Sequence, residues 1–322
     1  MGPRRNRTNA VAGADRPLAR LYDPVPDPGY DEFALLAENA AEVGLALDPD
    51  HPPSVRRVAV SAPSGHRLSA LVWGDGPAEA VLLHGGAQNA HTWDTVALAL
   101  DRPLVAIDLP GHGHSDWRPD RDYRPQRMAT DIAATIRLLA PRARVLVGMS
   151  LGGLTALATL AEDGTLAEHL VLVDITPGVN ERKAEPILSF VNGPEVFASF
   201  DEILERTMAF NPTRSRASLE RGVRHNARPR PDGTWVWRYD LPTGEGLAPL
   251  DTRFVDLWDA LETLNTPLVL VQGGLSGVVD DDDLVELHRR RPDAEVVVVD
   301  EAGHSVQGDR PLELAGIIAS RL

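Results

Sequence analysis

The chain has 322 residues, and its 43% hydrophobic content is enough to bury a large core, which excludes a globally disordered protein. Asp and Glu outnumber Lys and Arg by 47 to 32, and the net charge of −15 repels polyanions, which argues against a nucleic-acid partner. The sequence contains no cysteine, so disulfides, a thiol nucleophile and Cys-ligated zinc are excluded, and a cytoplasmic location is favoured.

The N-terminal region is basic and rich in small residues, but it lacks the apolar run of a secretory signal. We predict a mobile tail over residues 1–28, which ends in the turn-rich segment 23–28. Apolar residues then recur at helical spacing over 31–47, which predicts an accessory helix. No stretch approaches the roughly 20 apolar residues of a membrane span, so we expect no membrane contact.

Two segments with alternating apolar residues, 55–62 and 66–73, predict an antiparallel hairpin. Beyond the hairpin, short apolar runs alternate with helical patterns, which is typical of βαβ units around a parallel sheet. We therefore predict an α/β fold with a mostly parallel central sheet flanked by helices. Its core comprises residues 29–176 and 263–322.

Residues 177–262 interrupt this alternation and predict an inserted, mainly helical lid. Five large apolar side chains in this segment are candidates for the wall of a substrate pocket. The alternative interpretation is that they only pack the lid onto the core. These candidates are Phe190, Phe197, Met208, Trp235 and Trp237.

Gly148-Met149-Ser150-Leu151-Gly152 lies between an apolar strand and a helix. At such a junction, G-x-S-x-G forms a sharp elbow that projects the serine above the carboxyl edge of the sheet. The start of the helix also directs free amides towards developing negative charge. This context predicts Ser150 as a nucleophile, although a serine that merely caps the helix has the same pattern.

Two further segments complete the predicted chemistry. His84-Gly85-Gly86 follows a short strand, and such a turn allows the amide of Gly86 to form an oxyanion hole with the amide of Leu151. His304 lies in Gly303-His304-Ser305 after another strand, where an imidazole can take the serine proton. A turn needed only for backbone geometry and a structural loop histidine are the alternatives.

With these segments in place, the sequence closely resembles the α/β-hydrolase superfamily over about residues 55–322. The resemblance is carried by HGG at 84–86, DLPGHGHSD at 108–116, GMSLGG at 148–153, LVLVD at 170–174 and GHS at 303–305. It implies the α/β-hydrolase fold and a Ser–His–acid triad. The combination is specific for the fold and for the order of the motifs, but not for a substrate.

The triad acid departs from the common pattern of that superfamily. Most relatives carry it in the loop that corresponds to 273–279, but the expected position here is Gly277. Asp174, at the end of the preceding strand, resembles the acid of some esterases and of a lactonase group. Asp280 is the alternative acid, and a structural role for Asp174 at the lid hinge also stays open. The acid would fix the tautomer of His304 and stabilise its imidazolium form.

The sequence therefore predicts a serine hydrolase that cleaves an ester or lactone of a small, mostly apolar substrate through an acyl-enzyme. Neither a cofactor nor a metal is expected, and the expected partner is the small-molecule substrate. A carbon–carbon bond hydrolase or a biosynthetic lyase or cyclase on the same fold is one alternative. A non-catalytic ligand-binding homologue is another. The sequence does not indicate an oligomeric state.

Overall fold

The structure is a computed structural model that describes residues 20–22, 30–48, 50–212, 214–240 and 254–322. Its strands, in chain order, are β1 (Arg20–Tyr22), β2 (Val55–Ser61), β3 (Arg67–Trp73), β4 (Ala80–Leu83), β5 (Leu104–Ile107), β6 (Val145–Met149), β7 (His169–Val173), β8 (Val196–Phe197), β9 (Ala227–Pro229), β10 (Trp235–Trp237), β11 (Leu268–Gly273) and β12 (Glu295–Val299).

Helices connect most of these strands. They are α1 (Leu36–Glu42), α2 (Asp94–Leu100), α3 (Pro125–Leu139), α4 (Leu151–Glu162), α5 (Glu181–Val191), α6 (Phe200–Phe210), α7 (Arg216–Asn226), α8 (Val255–Thr263), α9 (Asp281–Arg290), α10 (Val306–Asp309) and α11 (Pro311–Ala319). A 3₁₀ helix, Ala90–Trp93, leads into α2.

Nine strands form the central sheet in the order β1-β2-β3-β5-β4-β6-β7-β11-β12. The pairs among β1, β2, β3 and β5 are antiparallel, and the other neighbouring pairs are parallel. The predicted α/β class with a mostly parallel sheet is confirmed. Because parallel strands end at one edge, β4, β6, β7, β11 and β12 bring their following loops together at that edge.

Both faces of the sheet are covered. In β4, Val81 and Leu83 belong to one buried apolar cluster and Ala80 and Leu82 to another, and all four are 0% exposed. Alternate residues of a strand point to opposite faces, so the two clusters are the two layers of core between sheet and helices. The burial of both sheet faces explains why the strand segments of the sequence are continuous apolar runs.

The described residues between β7 and α8, called the cap below, contain a small apolar cluster of their own. β8, β10 and β9 make a three-stranded antiparallel sheet that packs with α6 and α7. By contrast, Leu257, Trp258 and Leu261 of α8 lie in the main core cluster. The end of the inserted segment is therefore better placed before α8 than at residue 262.

The N-terminal predictions differ from the structure at two points. Residues 20–22, predicted as part of the mobile tail, form β1, which supplies hydrogen-bonding partners to the edge of β2. The remainder of the predicted tail lies outside the described residues. The accessory helix spans Leu36–Glu42 instead of 31–47, because the chain turns at Gly44, where φ is +73°. Among the described residues, no helix is long and apolar enough to cross a membrane.

Candidate active site

Ser150 lies at a sharp turn between β6 and α4, with φ 52° and ψ −121°. This backbone conformation is sparsely populated for a residue with a side chain, and such strain is concentrated at functional sites. The neighbouring glycines make the turn possible. A Cβ on Gly148 would lie 2.3 Å from the carbonyl oxygen of Gly152, and one on Gly152 would lie 2.3 Å from that of Leu83. The predicted elbow is therefore present.

His304 and Asp174 are brought together from the ends of two different strands. The Nδ1–H of His304 donates to Oδ2 of Asp174 at 2.8 Å. The Asp174 side chain is 0% exposed, and its other oxygen accepts from the amide of Gly273 at 2.9 Å. The hydroxyl of Ser276 also donates to Oδ2 of Asp174. The carboxylate is thus held by donors on two loops.

The second nitrogen of His304 is left free by this arrangement. Nε2 is buried and has no hydrogen-bond partner among the residues that the structure describes. The hydroxyl of Ser150 makes no hydrogen bond with this nitrogen within the described residues, and hydrogen bonds between nucleophile and base often tighten only once substrate is bound. An unprotonated Nε2 is the atom that a general base needs. The catalytic roles of Ser150, His304 and Asp174 stay predictions.

Asp280, the alternative acid, is engaged elsewhere. Its side chain caps α9 by accepting from the amide of Asp283 at 3.2 Å, and it pairs with Nζ of Lys183 at 2.9 Å. Burial would raise the pKa of Asp280, but the hydrogen bonds from Lys183 and from the Asp283 amide outweigh it and lower that pKa. The structure therefore brings Asp174, and not Asp280, into contact with His304.

The turn after β4 places Gly86 near Leu151, the other predicted oxyanion donor. A Cβ on Gly86 would lie 3.8 Å from Cδ2 of Leu151, the first residue of α4. The amides of Gly86 and Leu151 donate to no group in the described part of the chain. Two free amides next to the elbow, one of them at a helix N-terminus, fit the stabilisation of an oxyanion.

The imidazole of His84 stabilises the same turn through two hydrogen bonds. Its Nε2 accepts from the amide of Leu109 at 2.9 Å, so its Nδ1 carries the proton and donates to the carbonyl of Gly85 at 2.7 Å. Burial, reinforced by the nearby His112, lowers the pKa of His84 to about 3. The imidazole therefore stays neutral in this role at ordinary pH.

Both the sequence and the fold of the chain are similar to those of known proteins. A sequence model of the alpha/beta hydrolase family matches residues 80–317. The chain belongs to the alpha/beta hydrolase family. It is 46% identical over 298 residues to the esterase Rv0045c of Mycobacterium tuberculosis, which covers 90% of this chain and 95% of the relative. At this level the prediction of a hydrolase acting on ester bonds is confirmed, whereas the substrate is not identified.

A crystal structure of that esterase superimposes on the hydrolase with a TM-score of 0.79, at 46% identity and with 92% and 99% of the two chains covered. The hydrolase is also 30% identical over 258 residues to the pimeloyl-[acyl-carrier protein] methyl ester esterase of Aeromonas salmonicida, covering 76% of this chain and 95% of the relative. The structure of E-2-(acetamidomethylene)succinate hydrolase has a TM-score of 0.71 at 26% identity, with 83% and 98% of the chains covered.

The five predicted pocket residues all belong to the cap cluster of the hydrolase. Phe197 and Trp237 are buried in it, at 2% and 8% exposure, and Phe190, Met208 and Trp235 are partly buried against it. Trp237 also lines a cleft of about 220 Å³ with Trp117 and Tyr239. Ala87, which directly follows Gly86, packs against the same cluster. The cap core therefore contacts the turn, but substrate contact by these side chains stays a prediction.

A buried ionic network lies near the turn after β4 that contains Gly86. The sequence-based predictions do not include this network. Arg57 pairs with Glu32 at 2.6 Å and with Asp108 at 2.7 Å, and His91 lies between Glu32 and Asp94 at 3.0 and 2.8 Å. Burial would lower the pKa of His91, but these carboxylates raise it to about 9. Asp108 is the first residue of the DLPGHGHSD motif, but its partners come from distant segments that no motif connects to it.

His91, Asp94 and His225 also place possible metal ligands within 4.8 Å of one another. However, both nitrogens of His91 are hydrogen-bonded to carboxylates. The rings of His91 and His225 stack at 3.9 Å with 13° between their planes, so their lone pairs do not converge on one point. This geometry favours an ionic network around His91, on which the ring of His225 stacks, over metal coordination.

Proposed function

We propose that the hydrolase cleaves an ester or lactone of a small, mostly apolar substrate through an acyl-enzyme on Ser150. The observation that carries this proposal is the Asp174–His304 pair, which leaves a buried, unpartnered Nε2 on the loop that follows β12. A serine hydroxyl is a weak nucleophile until a base accepts its proton, and His304 is the base that this geometry supplies.

In the proposed reaction, Oγ of Ser150 attacks the carbonyl carbon while Nε2 of His304 takes the hydroxyl proton. The carbonyl oxygen becomes an oxyanion that accepts hydrogen bonds from the amides of Gly86 and Leu151. The protonated His304 then gives its proton to the leaving alcohol. A water molecule, deprotonated by His304, then attacks the acyl-enzyme. His304 returns that proton to Oγ of Ser150 as the acid leaves. Asp174 stabilises the imidazolium in both halves of the reaction.

The preference for an apolar substrate rests on the cap. Its aromatic cluster reaches Ala87, so the acyl or alcohol group of a bound ester would meet a mainly apolar surface. The absence of cysteine from the sequence supports a cytoplasmic location for this activity. A small molecule is the proposed partner, and no observation favours a second function.

A panel of p-nitrophenyl esters of increasing acyl length, together with lactones, tests this proposal. We expect turnover of short and medium esters by the wild type and none above background by Ser150→Ala. A fluorophosphonate probe should label the wild type, and mass spectrometry should find the label on Ser150. Equal labelling of Ser150→Ala would overturn the assignment. Ligand binding with no turnover of any ester or lactone would point to a non-catalytic homologue.

A further inference from the structure

Gln88 lies between the two loops that carry the proposed oxyanion donor and the proposed base. Its Oε1 accepts from the amide of Gly85 at 3.1 Å, and its Nε2 donates to the hydroxyl of Ser305 at 3.4 Å. A Cβ on Gly85 would lie 3.3 Å from both Oε1 of Gln88 and Cβ of Ser150. The carboxamide therefore lies close to the nucleophile, although it has no place in the triad.

Gln88 holds the peptide unit that contains the oxyanion donor. The amide hydrogen of Gly86 and the carbonyl oxygen of Gly85 belong to one planar trans peptide, so they point in opposite directions. The backbone amide of Gln88 donates to that carbonyl at 3.3 Å, and Nδ1 of His84 donates to it at 2.7 Å. The direction of the Gly86 amide is thus fixed by the side chain of His84 and the backbone of Gln88. The carboxamide of Gln88 holds the preceding peptide unit through the amide of Gly85.

The other end of Gln88 reaches the loop of the base. Ser305 directly follows His304, and Gln307 donates from Nε2 to Oε1 of Gln88 and to Oγ1 of Thr92, each at 3.3 Å. Gln307 is only 1% exposed. The amide of Gly85 is a donor that cannot change its role, so Oε1 must face it and Nε2 must face Ser305. The partners therefore fix the orientation of the Gln88 carboxamide.

We propose that Gln88 is a positioning residue that sets the oxyanion turn and the base loop in a fixed relation to each other. This inference rests on the proposed function, because it assumes that the Gly86 amide and His304 act in one transition state. Attack by Ser150 places negative charge at the turn in the same step in which the proton moves to His304. A loose relation between the two loops would impair that step more than it would impair substrate binding.

The test compares Gln88→Met, which keeps the length of the side chain but removes both hydrogen-bonding ends, with Gln126→Met. Gln126 is a partly exposed glutamine on α3 whose side chain bonds, within the described part of the chain, to Asp256, so it is a matched control. We expect Gln88→Met to lower kcat by about 10- to 100-fold with KM changed by less than about threefold. The second-order rate of fluorophosphonate labelling should fall in parallel. Gln126→Met should match the wild type.

Ser305→Ala removes the hydroxyl that accepts from Nε2 of Gln88. Together with Gln88→Met, it forms a double-mutant cycle that measures the coupling of the two side chains. If Gln88 acts through Ser305, the double variant loses kcat by much less than the product of the two single losses. Thermal melting of each variant separates positioning from simple destabilisation. A melting temperature near that of the wild type, with kcat reduced, supports positioning.

Three results would overturn the inference while leaving the proposed function intact. They are wild-type kcat in Gln88→Met, a loss of activity that appears only as a raised KM, and losses that multiply in the double variant. An inactive wild type that the probe does not label would instead overturn both proposals. The two failures are therefore distinguishable in one experiment.

Discussion

Oδ2 of Asp174 accepts a hydrogen bond from Nδ1 of His304 at 2.8 Å, across 130 positions of the chain. Asp174 has φ 51°, which turns the chain sharply at the end of β7 and directs it into the cap. The carboxylate is fully buried and receives the amide of Gly273 and the hydroxyl of Ser276 as well. These three donors fix the orientation of the carboxylate towards the imidazole of His304.

Replacement of the acid should therefore separate the two candidates. We expect Asp174→Asn to lower kcat by about 10⁴-fold, because an amide cannot hold the same tautomer of His304 or stabilise its imidazolium. Asp280→Ala should keep kcat within a small factor of the wild type, but it should lower the free energy of unfolding by about 0.5–2 kcal/mol through loss of the α9 cap. Steady-state kinetics and urea denaturation measure the two effects. Loss of turnover in Asp280→Ala alone would contradict this assignment.

How much of this site is readable from the sequence depends on how local its causes are. The elbow around Ser150 and the turn at Gly86 each follow from a short run of residues between a strand and a helix. The triad acid is harder to predict from the sequence. Gly277 occupies the position where most relatives carry the acid, and only the resemblance to some esterases and a lactonase group suggests Asp174. Ser276, which lies next to Gly277 and donates to Asp174, carries no sequence signal of this role.

The cap and the N-terminal region show where pattern reasoning fails. The residues of β1 were predicted as tail because three residues have no strand periodicity of their own, and their pairing with β2 is a tertiary effect. Likewise, α8 has a helical pattern, but only packing shows that Trp258 belongs to the main core and not to the cap. The network around His91 joins segments that no local pattern connects.

Two helical glycines offer a test of the elbow. A Cβ on Gly152 would lie 2.3 Å from the carbonyl oxygen of Leu83, whereas one on Gly316 in α11 meets nothing within 4 Å. We expect Gly152→Ala to cost about 1–3 kcal/mol of stability and to displace the start of α4, which would abolish ester turnover. Gly316→Ala should stabilise the protein by about 0.4–1 kcal/mol at unchanged activity. Urea denaturation measures the stability of the two variants, and a p-nitrophenyl ester assay measures their activity. Equal stability of Gly152→Ala and Gly316→Ala would contradict the prediction.

The cap aromatics can be divided into packing and substrate-contacting residues by one comparison. Phe197 is 2% exposed, so Phe197→Ala should cost about 3–5 kcal/mol in the stability of the cap. Trp117 is 50% exposed beside the cleft that Trp237 lines. Trp117→Ala should leave the melting temperature unchanged. A rise in KM for long acyl chains in this variant would identify the cleft as part of the substrate path, and an unchanged KM profile would exclude it.

The buried network should make stability depend on pH above neutrality. The pKa of His91 is raised from 6.5 to about 9, so its contribution is fully present below pH 6.5 and is lost as the pH rises through about 9. A shift of this size corresponds to a loss of roughly 3 kcal/mol as an upper estimate.

His91→Gln keeps a polar side chain but cannot become charged, so its stability should change less between pH 6.5 and 9.5 than that of the wild type. Urea denaturation at these two pH values measures the difference. His51→Gln is the matched control, because His51 is an exposed histidine whose described ion pair is with Asp48. Parallel slopes for the wild type and His91→Gln would show that His91 is not charged in the folded protein. A smaller slope in His91→Gln alone would establish that the ionic link between Glu32 and Asp94 depends on the imidazolium.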